Sequence, residues 1–392
     1  MTNWTGHALW WQIYPLGFSG APIRETEQGT HHRLSRLINW LDYAVDLGAS
    51  GLLLGPIFTS QSHGYDTTDY FEIDPRLGDS DDLANLIAEC KKRGLRLLFD
   101  GVFSHAAATF TRPELFDVHP DGTPNVFEGH QSLIRFDHSN PHTVDFVVKV
   151  MNHWLAAGID GWRLDAAYSI PTDFWAQVIP QVKAEYPEAW IMGEVIHGDY
   201  VEFVEQSKVD SITQYELWKS IWSSIRDKNF FELDWNLQRH NTFLEYFTPT
   251  TFIGNHDVTR IASQIGTDGA VLALTILMTV GGIPTIYYGD EQGALGIKEE
   301  RLGGDDAVRP EFPEHPGEVH PLYRIHQDLI SLRRQHPWLV NATTTSLELE
   351  NTHITYRSSA GDNYVDVTLD IGDKLSAKII DRAGAELWSS TS

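Results

Sequence analysis

The chain has 392 residues, 42% of them hydrophobic, and a formal net charge of -25 at pH 7. That length and apolar content suit one large α/β domain with a small appendage and a sizeable core. The acidic balance makes nucleic acid and anionic membranes poor partners and leaves a neutral ligand easy to accommodate. Cys90 is the only cysteine, so an intramolecular disulfide and a thiolate metal site are both excluded, which fits a reducing, cytoplasmic compartment.

The first seven residues lack a basic region followed by an apolar run, so no secretory signal is expected. Residues 9–14 read as a buried strand that stops before Pro15. Residues 34–47 carry helical apolar spacing and end at Gly48. Strand two is expected over 51–57, followed by a polar and aromatic loop, Ser62-His63-Gly64-Tyr65-Asp66 onward, where such units carry function. A helix over 80–93 and a strand over 95–99 follow. The period repeats with a helix over 142–156, strand four over 156–164, a helix over 173–186 and strand five over 189–193. A weaker run at 209–214 is the sixth strand, 251–254 the seventh and 283–287 the eighth, with helices near 215–228, 268–280 and 321–335.

Eight strand-helix repeats without a phosphate-binding glycine loop predict a closed (β/α)8 TIM barrel of the α/β class over residues 1–337. Two stretches break the spacing, an excursion over the rim at 106–141 and a Gly-, Asp- and Pro-rich loop at 289–320. The longest apolar stretch, residues 270–288, approaches membrane length. Gly281, Gly282 and Pro284 interrupt it, which predicts a buried helix-turn-strand. Beyond Pro337 the pattern alternates, so residues 338–392 are expected to form a small all-β domain, a short sandwich leaning on the barrel.

Charged residues recur at strand ends. Asp165, Glu194 and Asp257 follow strands four, five and seven, whose carboxyl ends face one crevice in a barrel. A lone Asp there is more often a helix cap; recurrence at equivalent ends favours a shared site. Acetal cleavage needs a proton for the leaving oxygen and a stabiliser of positive charge, and paired carboxylates supply both. A separation of about 5 to 5.5 Å gives retention and about 6.5 to 9.5 Å inversion. Arg163, two residues before Asp165, is expected to keep it ionised as a nucleophile requires. Glu194 has no cation adjacent in sequence, which suits a general acid. Asp100 reads either as a substrate contact or as a buried acceptor for Arg163.

Four segments carry a resemblance: Asp100-Gly-Val-Phe-Ser-His105, Gly161-Trp-Arg-Leu-Asp165, Gly193-Glu-Val195 and Phe252-Ile-Gly-Asn-His-Asp257. With the stretches at 64–70 and 281–291 they resemble the α-amylase family (glycoside hydrolase family 13), in the pattern of cyclomaltodextrinase- and α-glucosidase-like members. The resemblance implies a retaining double displacement at an α-glucosidic bond, with Asp165 as nucleophile, Glu194 as acid/base and Asp257 as transition-state stabiliser. It also implies that Arg163 orients Asp165, that His63, His105 and His256 line the sugar site, and that Tyr65 stacks under the reacting ring. Asp66, with Arg309 as a companion, resembles the clamp on a non-reducing end; alternatively Asp66 caps local backbone amides.

Ser104 stands where the family often has a calcium-binding Asn, and the excursion at 106–141 is short, so no metal or other cofactor is expected. The implied substrates are neutral maltooligosaccharides, cyclic maltodextrins or small α-glucosides. An α-glucanotransferase using the same intermediate and a non-catalytic carbohydrate-binding barrel are the alternatives. The resemblance leaves room for a homo-oligomer.

Overall fold

The computed structural model describes residues 4–25 and 27–390; the first three residues of the stretch read for a secretory signal lie outside them. Eight parallel strands form one sheet: β1 (Trp10–Ile13), β2 (Gly51–Leu54), β3 (Arg96–Val102), β4 (Gly161–Asp165), β5 (Trp190–Gly193), β6 (Ser211–Ile212), β7 (Thr250–Phe252) and β8 (Ile283–Tyr287). Their spatial order is β6-β5-β4-β3-β2-β1-β8-β7. A parallel bridge between Thr213 and Thr250 joins the two ends, and the Gln214 N–H donates to the Thr250 carbonyl at 2.9 Å. The sheet thereby closes into the expected barrel.

Strand periodicity places the chemistry. Trp10, Leu53, Leu98, Trp190, Met192 and Ile283 pack together as a core inside the barrel, with Trp10 and Trp190 stacked at 5.7 Å. Two residues further along their strands, on the same face, come Gln12 after Trp10, Asp100 after Leu98 and Glu194 after Met192. Arg163 and Asp165 follow Gly161 in the same alternation. An apolar floor thus grades into a polar rim at the carboxyl ends of the strands. Gly161 is required there, because a Cβ on it would lie 1.9 Å from the Trp190 carbonyl oxygen.

The outer layer contains α1 (Leu41–Leu47), α2 (Ser80–Lys92), α3 (Pro141–Ala157), α4 (Thr172–Glu185), α5 (Tyr200–Ser207), α6 (Tyr215–Arg226), α7 (Phe230–Leu244), α8 (Ile261–Thr279) and α9 (Pro321–Gln335). Strand four begins at Gly161 rather than at 156: α3, started by Asn140 and Pro141, runs to Ala157 and is stopped by Gly158 at φ +113°. Helices α5 and α7 had no counterpart in the sequence reading. Helix α8 is the one described helix long and apolar enough to cross a membrane, yet 67% of its apolar window is buried in the fold, so it is a core helix as the interrupting glycines predicted.

The segments between strands carry structure of their own. Phe58–Ser60 and Thr67–Ile73 pair as a hairpin that presents Tyr65 and Asp66 at its tip. The excursion at 106–141 holds a three-stranded sheet of His105–Ala107, Val126–Phe127 and His130–Arg135.

The carboxyl-terminal strands β9 (Thr343–Leu349), β10 (His353–Ala360), β11 (Asn363–Asp370), β12 (Ser376–Asp381) and β13 (Glu386–Ser389) form one antiparallel meander in chain order. The expected sandwich is therefore corrected to a single layer. Its buried face, Ile354, Tyr356, Val365, Val367, Leu369 and Ile379, belongs to the main core, and the sheet contacts α7, α8 and α9. Barrel helices take the place of a second sheet, and Tyr356 and Thr279 share a hydroxyl-hydroxyl hydrogen bond of 2.7 Å across the seam.

Candidate active site

Asp100 and Arg163 are direct register partners on β3 and β4. Their side chains enter the barrel side by side, and Arg163 Nη1 donates to Asp100 Oδ2 at 2.6 Å. The same nitrogen lies 3.3 Å from Asp165 Oδ1, while Nη2 lies 2.7 Å from Glu194 Oε1. One guanidinium, 2% exposed, serves three carboxylates. Glu194 also accepts from the Tyr215 hydroxyl at 2.9 Å and from the Ala166 N–H at 3.0 Å. Ala166 adopts φ +43° and ψ +38°, a left-handed turn costly for a residue with a Cβ, and this turn aims its amide at the carboxylate.

Asp257 sits in a second ion-pair system. Arg309, from the loop after β8, donates to Asp257 Oδ1 at 2.9 Å and to the His256 carbonyl at 3.0 Å. It also lies 3.2 Å from Asp305 and 4.7 Å above the centre of the Tyr14 ring. Gln12 donates to His256 Nδ1 at 3.2 Å, which leaves the proton on Nε2, 3.1 Å from Asp257 Oδ2. The Tyr65 hydroxyl meets that same Nε2 and donates to Asp100 Oδ2 at 3.1 Å. The Tyr65, His256 and Tyr14 rings are parallel within 3°.

The electrostatics separate these carboxylates. Burial pushes Asp165 well above the usual range, and the negative charge of Glu194 adds to it faster than Arg163 relieves it. Burial also raises Asp100, to about 6. For Asp257 burial works in the same direction, but His256, Arg309 and Arg163 outweigh it and hold the carboxyl at about 2. Burial lowers His105 to about 4 and His256 to about 3, so both rings are neutral near pH 7.

The family model for the α-amylase catalytic domain matches residues 12–117 and 126–317. The chain belongs to the α-amylase family. A maltogenic α-amylase of Bacillus acidopullulyticus is 30% identical over 392 aligned residues, covering 86% of this chain and 64% of the relative. A cyclomaltodextrinase of Geobacillus thermopakistaniensis is 28% identical over 409, covering 93% and 68%. The chain thus spans about two thirds of the length of these relatives. The cyclic α-maltosyl-(1→6)-maltose hydrolase of Arthrobacter globiformis superposes with a TM-score of 0.83 at 24% identity, over 99% of both chains, and shares the fold.

Within this family frame several residue readings change. Arg163 was expected to hold Asp165 low; its charge is divided among three carboxylates, with the shorter contacts to Asp100 and Glu194, and Asp165 rises instead. Glu194, without a cation beside it in sequence, has Arg163 beside it in space. Arg309 and Asp66 form no ion pair with each other. Arg309 pairs with Asp257 and Asp305, while Asp66 accepts from the Ser62 N–H at 3.0 Å and from its hydroxyl at 2.5 Å, the local capping alternative.

His105 lies in the wall with both nitrogens engaged, Nε2 on the Tyr65 carbonyl at 2.9 Å and Nδ1 accepting from the Ser104 hydroxyl at 2.8 Å. Phe127, from the rim excursion, stacks on its ring at 4.2 Å. His63 is at the edge and accepts from the Tyr65 N–H at 3.2 Å.

Four site residues escaped the sequence reading: Gln12, Tyr14, Tyr215 and Ala166. Gln12 alone was recoverable, as a polar residue inside a strand otherwise apolar on both faces. The one cluster of potential metal ligands among the described residues is His32, Asp79 and Asp82, away from this site; Asp79 and Asp82 form the capping box of α2.

Proposed function

We propose that this chain is a retaining α-glucoside hydrolase acting on maltooligosaccharides, cyclic maltodextrins or small α-glucosides. The observation that carries the reading is the sharing of Arg163 by Asp165 and Glu194 at adjacent strand ends, opposite an Asp257 held ionised by a separate arginine. Asp165 attacks the anomeric carbon while Glu194 gives its proton to the departing glycosidic oxygen. Asp257, ionised throughout, stabilises the positive charge that develops on the ring. In the second step Glu194 takes a proton from water, the water oxygen bonds to the anomeric carbon, and Asp165 leaves as carboxylate.

The reaction is read as independent of metal, because the Ser104 hydroxyl, at the position of the family's calcium-binding Asn, is committed to His105. A lone buried Cys90 is compatible with a cytoplasmic setting.

Product analysis with maltotetraose and with a cyclic maltodextrin, each with and without added glucose, tests the assignment. Shorter sugars alone are the expected result; products longer than the donor would transfer the enzyme to the glucanotransferases. Unchanged turnover in Glu194→Gln would refute the catalytic roles.

A further inference from the structure

A cleft of about 290 Å³ reaches the active site at Asp257 and is lined by Trp218, Trp222, Asp257, Thr259, Gln264 and Lys298, among others. Its aromatic wall belongs to α6, which is part of the barrel framework. Tyr215, the first residue of that helix, donates to Glu194. Trp218 comes one turn later, edge-on to Tyr215 at 5.7 Å and stacked on Phe252 at 6.2 Å and 17°. Trp222 follows at 5.9 Å from Trp218. Spacing of three and four residues puts the aromatic side chains on one helix face, in a row leading away from the acid.

The opposite wall is also fixed. The Lys298 N–H donates to Thr259 Oγ1 at 3.1 Å, the Gly296 N–H to Ser263 Oγ at 2.9 Å, and the Arg260 N–H to the Gly296 carbonyl at 3.0 Å. These bonds pin the loop after β8 onto the start of α8 and hold Lys298 across the cleft from the tryptophans. Lys219 at 5.7 Å and Arg226 at 4.6 Å lie over the Trp222 ring and make that end the outer stop. Trp218, half-buried and immobilised by Phe252, is the platform.

We propose that this cleft is a subsite for a glucose unit of an α-glucan chain beyond the pair joined by the scissile bond, with Trp218 as its stacking surface. A pyranose offers an apolar face of C–H groups and a rim of hydroxyls. An indole opposite Lys298, Gln264 and Thr259 offers the complement of both. Continuity with the active site selects this occupant, since Asp257 lines the cleft and grips the reacting sugar in the proposed reaction. The inference rests on that reading. It places selection for chain length on a framework helix that the sequence resemblance does not mark.

The test compares kcat/KM for maltotetraose with that for α-glucosyl fluoride, which presents a single ring, in the wild type and in Trp218→Ala. The ratio should fall on the order of tenfold through KM for the longer substrate, the scale of one lost aromatic contact. Lys298→Met, which alters the opposite wall without touching the Phe252 stack, should lower the ratio about threefold and covers the case that Trp218→Ala fails to fold. An unchanged ratio in every folded variant overturns the subsite. Calorimetric titration of maltotetraose into Glu194→Gln, with and without Trp218→Ala, separates the two failures. If no α-glucoside is turned over but Trp218→Ala still weakens binding, the hydrolase reading falls and the subsite stands; equal binding by both proteins overturns the subsite.

Discussion

Asp100 is 1% exposed. Its Oδ2 takes the contacts with Arg163 and Tyr65, and its Oδ1 has no hydrogen-bond partner among the described residues. Burial raises its carboxyl from the ordinary 3.8 to about 6 even with Arg163 alongside. A carboxyl raised on folding contributes stability that is complete below pH 3.8 and is lost as pH rises through about 6. At about 1.36 kcal/mol per pKa unit, ionised Asp100 costs the fold about 3 kcal/mol at pH 8. Asp100→Asn removes the ionisation. If its amide finds no acceptor, about 1 kcal/mol of the gain is lost, leaving about 2 kcal/mol. Thermal unfolding of wild type and variant from pH 4 to 8 should give a variant no more stable than wild type at the acid end, where only the unpaired amide counts, and more stable by roughly 3 °C at pH 8. The same variant should be slower, because Arg163 loses its shortest contact and with it the fixed placement of Asp165 and Glu194. A variant less stable than wild type at pH 8 would refute the reasoning, since it would mean that Arg163 overcompensates the burial of Asp100.

Tyr215→Phe removes a hydroxyl that donates to Glu194 and accepts from Asn255 Nδ2 at 2.8 Å. A hydrogen bond of about 0.5–1.5 kcal/mol predicts a fall in kcat of about 3- to 10-fold and a Tm lower by about 1–2 °C, and steady-state kinetics with calorimetry checks both. The acid limb of kcat/KM should lie well above the ordinary Asp value of about 3.9. The nucleophile must be ionised, and burial with the charge of Glu194 resists its ionisation, so activity rises with pH through that limb; a limb near 3.9 would contradict the geometry. Treatment with a chelator should leave activity and Tm unchanged, because Ser104 is engaged by His105; restoration of lost activity by calcium would count against that account.

The barrel was legible because two periods are written in the chain. Apolar runs mark strands buried on both faces, and polar residues just after them mark the rim. Asp165, Glu194 and Asp257 were singled out that way, and Asp100 was offered to Arg163 as a buried acceptor, a pairing that the register of β3 and β4 provides. Less of the electrostatics could be read. Distance along the chain put Arg163 next to Asp165, whereas distance in space puts its guanidinium nearer Glu194, which arrives from another strand. Tyr215 and Ala166 had no local signal: one is the first residue of an amphipathic helix, the other an alanine distinguished only by a left-handed turn. The single-layer carboxyl-terminal sheet was misread as a sandwich because alternation reports one buried face and says nothing about what covers it.

Two arginines organise the site, and they are not interchangeable. Arg163 faces Asp100, Asp165 and Glu194, so its single positive charge cannot neutralise all three, and burial raises the carboxyls of Asp100 and Asp165 in spite of it. Arg309 faces Asp257 and Asp305 with the neutral His256 beside it, and Asp257 stays ionised at about 2. The raised carboxyls and the lowered one are thereby placed on different guanidinium groups. Exchange of either arginine for lysine should be costly for different reasons. At 163 a point charge cannot reach Asp100 and Glu194 through two separate nitrogens, so the acid pair is loosened. At 309 it loses the stacking over Tyr14 and the bond to the His256 carbonyl, so the stabilising carboxylate swings free. Arg163→Lys should therefore displace the limbs of the pH profile, whereas Arg309→Lys should lower kcat across the whole range without moving them; identical profiles from the two variants would show that the two arginines act as one electrostatic unit.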